Sequence, residues 1–204
     1  MDGNSEVEFT LAPRMTKLTV KSKRHYSAHH ALLRAADNYL TAAENSERFC
    51  SDGHFVSLVM SCLAVESLCN TTGDLIFTDW EDFESASPRA KIRMICAQLG
   101  ILYEREKEPF HTLLWTIRFR NKIAHAKPEP LDAEVEMSEE ECADLMSGDG
   151  PQSKLEKQVT FQTARRVFDA ISLFQKMVVE KLPEDKKYLV DGDFWESSFT
   201  ETRS

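Results

Sequence analysis

Arg118-Phe119-Arg120-Asn121-Lys122-Ile123-Ala124-His125-Ala126 stands directly before Lys127-Pro128. Upstream of it, Phe110, Leu113, Leu114 and Ile117 recur at intervals of three and four, the period of an amphipathic helix. A residue that precedes proline avoids the α conformation. The spacing therefore predicts a helix from about Glu108-Pro109 to about Ala126, with two arginines, an amide and an imidazole in its last turns. At about 100° per residue, Phe110, Leu113, Leu114, Ile117 and Ala124 form the expected core stripe. Asn121 falls inside that stripe, Arg120 on one edge, and Arg118 and His125 toward the other. A polar group buried without a partner is costly, so partners for these side chains are expected.

A candidate partner lies on the helix expected from Ser51-Asp52-Gly53 to about Asn70. Its stripe is Phe55, Leu58, Val59, Cys62, Val65 and Cys69, and Glu66 sits in the middle of it with Asn70 one turn on. A glutamate there is rarely buried unpaired, so a pair with Arg120 or with Arg118 is expected. Trp115 and Phe119, one turn apart, lie on the far side of the motif helix with Ile123 nearby. A helix apolar on two sides is either central in its bundle or touches a second subunit.

Three further helices complete the chain. Tyr26, Leu33, Ala36, Leu40 and Ala43 mark one from about His25 to Asn45. Ser87-Pro88 supplies an N-cap and a first-position proline for a helix carrying Ile92, Ile95, Cys96, Leu99 and Leu102, with Gly100 near its end. Ser153 and Glu156 form a capping-box pattern that opens a helix to about Leu182, where Pro183 stops it. Residues 74–87 have no clear period and read as a partly packed loop. The architecture expected is all-α, an antiparallel bundle of about five long helices over residues 25–182. Residues 1–24 form a lead with a short extended piece at Leu18-Thr19-Val20. An acidic insertion spans 128–152, with Ser138 to Glu141 able to cap a short helical piece. Residues 183–204 form a tail whose Trp195 and Phe199 are expected to fold back onto the body.

Composition fits one domain: 204 residues with seven Gly and seven Pro, low for a turn-rich β architecture. The net charge of −9 argues against a nucleic-acid binder if taken whole. The charge is unevenly spread, however. Residues 129–150 hold nine acids and no Lys or Arg, whereas residues 88–127 hold nine Lys or Arg against three Glu. The basic part is either a surface that meets a phosphate backbone or a solvated pattern that aids solubility. Five cysteines lie at 50, 62, 69, 96 and 142 without a CxxC pair, as in reduced cytosolic proteins. Met1 to Leu11 lack a secretory pattern. The apolar stretch from Phe55 to Val65 reads as too short and too polar to span a bilayer. A cytoplasmic protein without a membrane segment is the expectation.

Arg120-Asn121-Lys122-Ile123-Ala124-His125 resembles the Rx4–6H motif of HEPN domains (higher eukaryotes and prokaryotes nucleotide-binding), in which a polar residue often follows the arginine. Arg118-x6-His125 also satisfies the spacing. Ala64-Val65-Glu66-Ser67-Leu68-Cys69-Asn70 is similar to the acidic helix segment upstream in many such proteins. The acidic insertion and the tryptophan-bearing tail depart from the family pattern.

The resemblance implies cofactor-free, metal-independent cleavage of RNA at a homodimer interface, in a toxin, antiviral-defence or RNA-processing role. It implies Arg120, Asn121 and His125 as catalytic residues, Glu66, Arg118 and Asn70 in support, and Lys122 and Lys127 on the substrate. The chemistry of the residues is compatible. An imidazole can take the 2′-OH proton near neutral pH, and a planar guanidinium suits a pentacoordinate phosphorane. The alternative is a non-catalytic module that binds a nucleotide or a protein, with an antitoxin or a nucleotidyltransferase as partner. For His25, His29 and His30, packing or solvent is expected rather than a metal site.

Overall fold

Helix α2 (Cys50–Ile76) is apolar on most of its sides, and every other α-helix among the described residues packs on it. The computed structural model describes residues 17–45, 50–132, 151–192 and 194–202. Around α2 stand α1 (Ala28–Glu44), α3 (Pro88–Leu99), α4 (Phe110–Ala124), α5 (Phe161–Lys181) and α6 (Glu184–Asp191). Leu58, Val65, Leu68 and Cys69 of α2 meet Leu40 of α1, Ile92 and Ile95 of α3, Leu113 of α4, and Val167, Ile171 and Phe174 of α5 in one core. The Asp52–Ile76 segment is long and apolar enough to cross a membrane by length and composition, which corrects the sequence expectation. Half of that window is buried among the other helices.

Local chemistry explains the helix ends. Ser87 Oγ accepts the Ala90 N–H at 3.3 Å at the start of α3. Gly100 closes it at φ 66°, a left-handed conformation that favours glycine, and the Ile101 N–H reaches the Cys96 carbonyl at 2.8 Å. The capping box at Ser153 forms, with Glu156 Oε2 accepting the Ser153 N–H and Ser153 Oγ accepting the Glu156 N–H. Hydrogen bonding from the Ser153 backbone N–H first, and from the Ser153 side chain second, holds the Glu156 carboxyl below its usual range. The box opens only a 3₁₀ turn, Glu156–Gln158. Helix α5 begins later than expected, because Thr160 is extended and its hydroxyl accepts the Thr163 N–H at 3.1 Å.

Residues 74–87 are better ordered than a loop reading allows. A 3₁₀ turn, Trp80–Phe83, buries the Trp80 indole against Gly73 of α2 and stacks it on Phe77 at 5.5 Å.

The chain ends also differ from expectation. Residues 184–191 form α6 rather than an irregular tail, and Lys17–His25 (β1) pairs antiparallel with Phe194–Thr202 (β2). The register runs from Lys17 opposite Thr202 to His25 opposite Phe194, with Trp195 and Phe199 opposite Arg24 and Val20. Polar contacts bring the two ends together. Ser27 Oγ donates to the Leu189 carbonyl at 3.1 Å, and buried His29 places Nε2 3.1 Å from the Val190 carbonyl. A carbonyl only accepts, so the imidazole proton sits on Nε2, and Nδ1 faces the Thr71 hydroxyl at 3.4 Å. With residues 27 and 189 held together, pairing 25 with 194 closes only a short loop. The helical piece expected at Ser138 to Glu141 lies outside the described residues.

Two outcomes follow from this packing. A Cβ on Gly73 would overlap the buried Trp80 indole, so Gly73→Ala should lower stability by about 1–3 kcal/mol in a denaturant titration. Burial also pushes the Cys62, Cys69 and Cys96 thiols up to about 12, from 9.0. Their protonated state favours the fold fully below about pH 9, and that contribution is lost as pH rises toward 12. Iodoacetamide at about pH 8 should leave all three unlabelled until the protein is unfolded.

Candidate functional site at the end of helix α4

Helix α4 begins under Glu108, whose carboxylate accepts the Thr112 N–H at 3.3 Å and the Thr112 hydroxyl at 2.7 Å. It ends at His125, which leaves the α conformation at φ −117° while its N–H still bonds the Asn121 carbonyl at 3.1 Å. The stop before Lys127-Pro128 is where the sequence put it.

Which side of α4 faces inward is another matter. The buried residues are Phe110, Thr112, Leu113, Leu114, Thr116 and Phe119. Phe119 is 1% exposed, whereas Asn121 and Ala124, expected in the core, are on the surface. The cause is the second apolar side of the helix. Trp115 and Phe119 stack at 4.9 Å with ring planes 14° apart, and the Arg166 guanidinium of α5 lies 5.4 Å from the Trp115 ring centre. Packing that pair against the bundle rolls the last two turns outward on the other side. Asn121 therefore needs no buried partner, and its Oδ1 accepts from Arg120 Nη1 at 3.3 Å.

Glu66 does pair with the motif helix, through Arg120 and not through Arg118. Glu66 Oε2 lies 3.6 Å from Arg120 Nη2, and its Oε1 lies 3.9 Å from Lys91 Nζ. The carboxylate is 34% exposed rather than deep in the core. Lys91 is the buried member, 1% exposed, and donates to Asn70 Oδ1 at 2.8 Å, with the Trp80 ring centre 6.0 Å away. Sequence reasoning missed it. The signal was there: Lys91 stands one turn before Ile95, on the same side of α3 as Ile92, Ile95 and Cys96. The Arg120 guanidinium also reaches the field of Cys62 and pulls against the burial that raises its thiol.

The remaining residues scatter around the helix end. Lys122 Nζ donates to Gln158 Oε1 at 3.5 Å, ahead of α5. His125, Lys127 and Arg118 are exposed. Arg118 lines a separate cleft with Arg105, Glu106, His111 and Leu114. Arg120 and His125 are five residues apart, about 140° around the helix at roughly 100° per residue. Arg118 and His125 share a side, two turns apart. The chain thus divides the motif: Arg120 faces α2 and α3, and His125 faces solvent. Among the described residues, no three His, Cys, Asp or Glu side chains cluster as a metal site would require.

One ordering of stabilities tests the network. Glu66→Gln leaves buried Lys91 without its counter-charge among the described residues, whereas Arg120→Gln leaves Glu66 paired with Lys91. The glutamate change should cost about 2–3 kcal/mol, reduced from the fully buried case by solvent at the carboxylate, and clearly more than the arginine change. Chemical denaturation of the two variants checks it, and equal midpoints would contradict the shared pairing. The chain matches no protein-family model, no curated protein sequence and no solved structure in the comparisons made.

Proposed function

We propose that this protein is a metal-independent endoribonuclease of the HEPN type. It acts in the cytoplasm as a homodimer whose two copies each lend Arg120, Asn121 and His125 to one cleft. The observation that carries this is the polar, exposed end of α4. His125 and Lys122 face solvent, and Arg120 is half exposed and braced by Glu66. An imidazole open to solvent can take the 2′-OH proton. A guanidinium fixed by a carboxylate behind it is pre-oriented for the charge that develops on the phosphorane. The bond from the 2′-oxygen to phosphorus forms as the bond to the 5′-oxygen breaks, and the leaving 5′-oxygen takes a proton from solvent, giving a 2′,3′-cyclic phosphate and a 5′-OH. Lys122 and Lys127 supply further charge to the RNA backbone. The separation of Arg120 and His125 around one helix supports a composite site, because a second copy can present its His125 where the first presents Arg120.

One feature favours a second reading. Arg120 is already engaged by Glu66 and Asn121, as in a helical module that uses this surface to hold a nucleotide, an antitoxin or a nucleotidyltransferase without cutting RNA.

RNA incubated with the purified protein in EDTA separates the two. Cleavage with cyclic-phosphate ends is expected, and His125→Ala should slow it by about 10²–10⁴-fold with the melting temperature unchanged, since the side chain is exposed. Mixing Arg120→Ala and His125→Ala copies should restore part of the activity if the site is shared. Undiminished cutting by His125→Ala would sink the assignment of the base, and uncut RNA under all conditions would favour the binding module.

A further inference from the structure

On the side of α4 away from Glu66, the chain builds a small cationic cleft of about 210 Å³. His111, Leu114 and Arg118 stand on successive turns of one helix side, and Arg105 and Glu106 come over them from the preceding loop. That loop is well held. Ile101 and Pro109 are buried, the Tyr103 ring packs edge-on to Phe110 at 4.8 Å, and Lys107 bridges back to Glu104 at 2.8 Å. Arg105 is therefore carried by a fixed backbone.

We propose that this cleft binds a phosphate group. Two guanidiniums and an imidazole converge on it, and among the described residues Arg118 makes no ion pair or hydrogen bond. An arginine left open at a concavity is a ready partner for a phosphate, which it can grip with two parallel N–H bonds. The one opposing charge is weakly held. Glu106 pairs with Arg105 at 3.7 Å but is 85% exposed, so an anion displaces it at little cost. Glu108 faces His111 Nδ1 at 3.6 Å while remaining bonded to Thr112, and it does not line the cleft. The volume admits a phosphate with water, and Leu114 is the only apolar side chain lining it, with no Phe, Tyr or Trp ring to stack a base.

The phosphate has two sources, a free ion or a strand. Arg118, Lys122 and His125 follow one side of α4, and seven residues separate Arg118 from His125 by about 10 Å along the axis. A strand seated in the cleft thus runs toward His125. The strand source rests on the ribonuclease reading; the phosphate cleft itself does not.

The test uses the full-length protein, inorganic phosphate by calorimetry, and a fluorescent single-stranded oligoribonucleotide by anisotropy in EDTA. The variants are Arg118→Gln, Arg105→Gln and, as control on the exposed side of α3, Arg93→Gln. Each change is at the surface, and circular dichroism checks the fold. Weakening of either ligand by about tenfold or more in both cleft variants, with Arg93→Gln unchanged, supports the site. An effect on inorganic phosphate assigns the free ion as sufficient, and an effect on RNA alone assigns the strand. Equal binding by all four proteins, or binding of neither ligand, overturns the cleft. Cleavage is scored separately with His125→Ala. Phosphate binding without any cutting retains the cleft and removes the nuclease, and cutting that is indifferent to Arg118→Gln and Arg105→Gln does the reverse.

Discussion

Helix α2 carries apolar side chains on most of its circumference, and burying that surface organises the molecule. A helix of this kind leaves little polar face for water, so each neighbour must contribute an apolar stripe to cover it. Leu40, Ile92, Leu113 and Ile171, one from each of four helices, do so. The cost of this arrangement falls on Glu66, the carboxylate set among α2's covered positions. It sits at the bundle's margin, shared between Lys91 of α3 and Arg120 of α4. One carboxylate thus ties three helices, and Arg120 is a structural contact whatever chemistry is proposed for it.

That bracing shapes what the end of α4 presents. An arginine held from behind loses rotamer freedom and presents its outer nitrogens in a defined direction, which favours recognition of a phosphate over a mobile side chain. His125 is on a different side of the helix, at its last hydrogen-bonded turn, with its side chain exposed. The two sides of α4 therefore divide the labour. One side is braced by α2 and α3. The other is an open line of His111, Arg118, Lys122 and His125, with Arg105 at its start.

The elements that lead into the two strands are joined by polar contacts as well as by the apolar core, in which Val190 of α6 is buried. Ser27 and His29 grip the carbonyls of α6, and Lys186 Nζ donates to the Leu75 carbonyl at 2.6 Å. These bonds satisfy backbone carbonyls at helix ends, which would otherwise lose water without replacement. They also set β1 beside β2. Two strands alone are marginal, so this ribbon depends on the helices that hold its base.

The sequence by itself determined what local chemistry dictates. The cap at Ser87, the stop at Gly100, the end of α4 before Pro128, and the stripe of α1 from Leu33 to Ala43 all follow from patterns within a few residues. That Glu66 pairs with an arginine of the motif helix was also legible, because a carboxylate in an apolar stripe demands a cation, but the choice of Arg120 over Arg118 came from the packing. Other features needed the tertiary structure. Asn121 was placed in the core because α4 has two apolar sides, and only the packing of Trp115 and Phe119 against α5 chose between them. Lys91 was visible as a helical position but not as a buried ammonium, because its burial depends on Trp80 and Asn70, which arrive from other parts of the chain. The β1–β2 pairing joins residues more than 150 positions apart, so no local pattern in either strand could announce it. Local propensity decided where the helices begin and end, and long-range packing decided which side of each faces the core and which is left for chemistry.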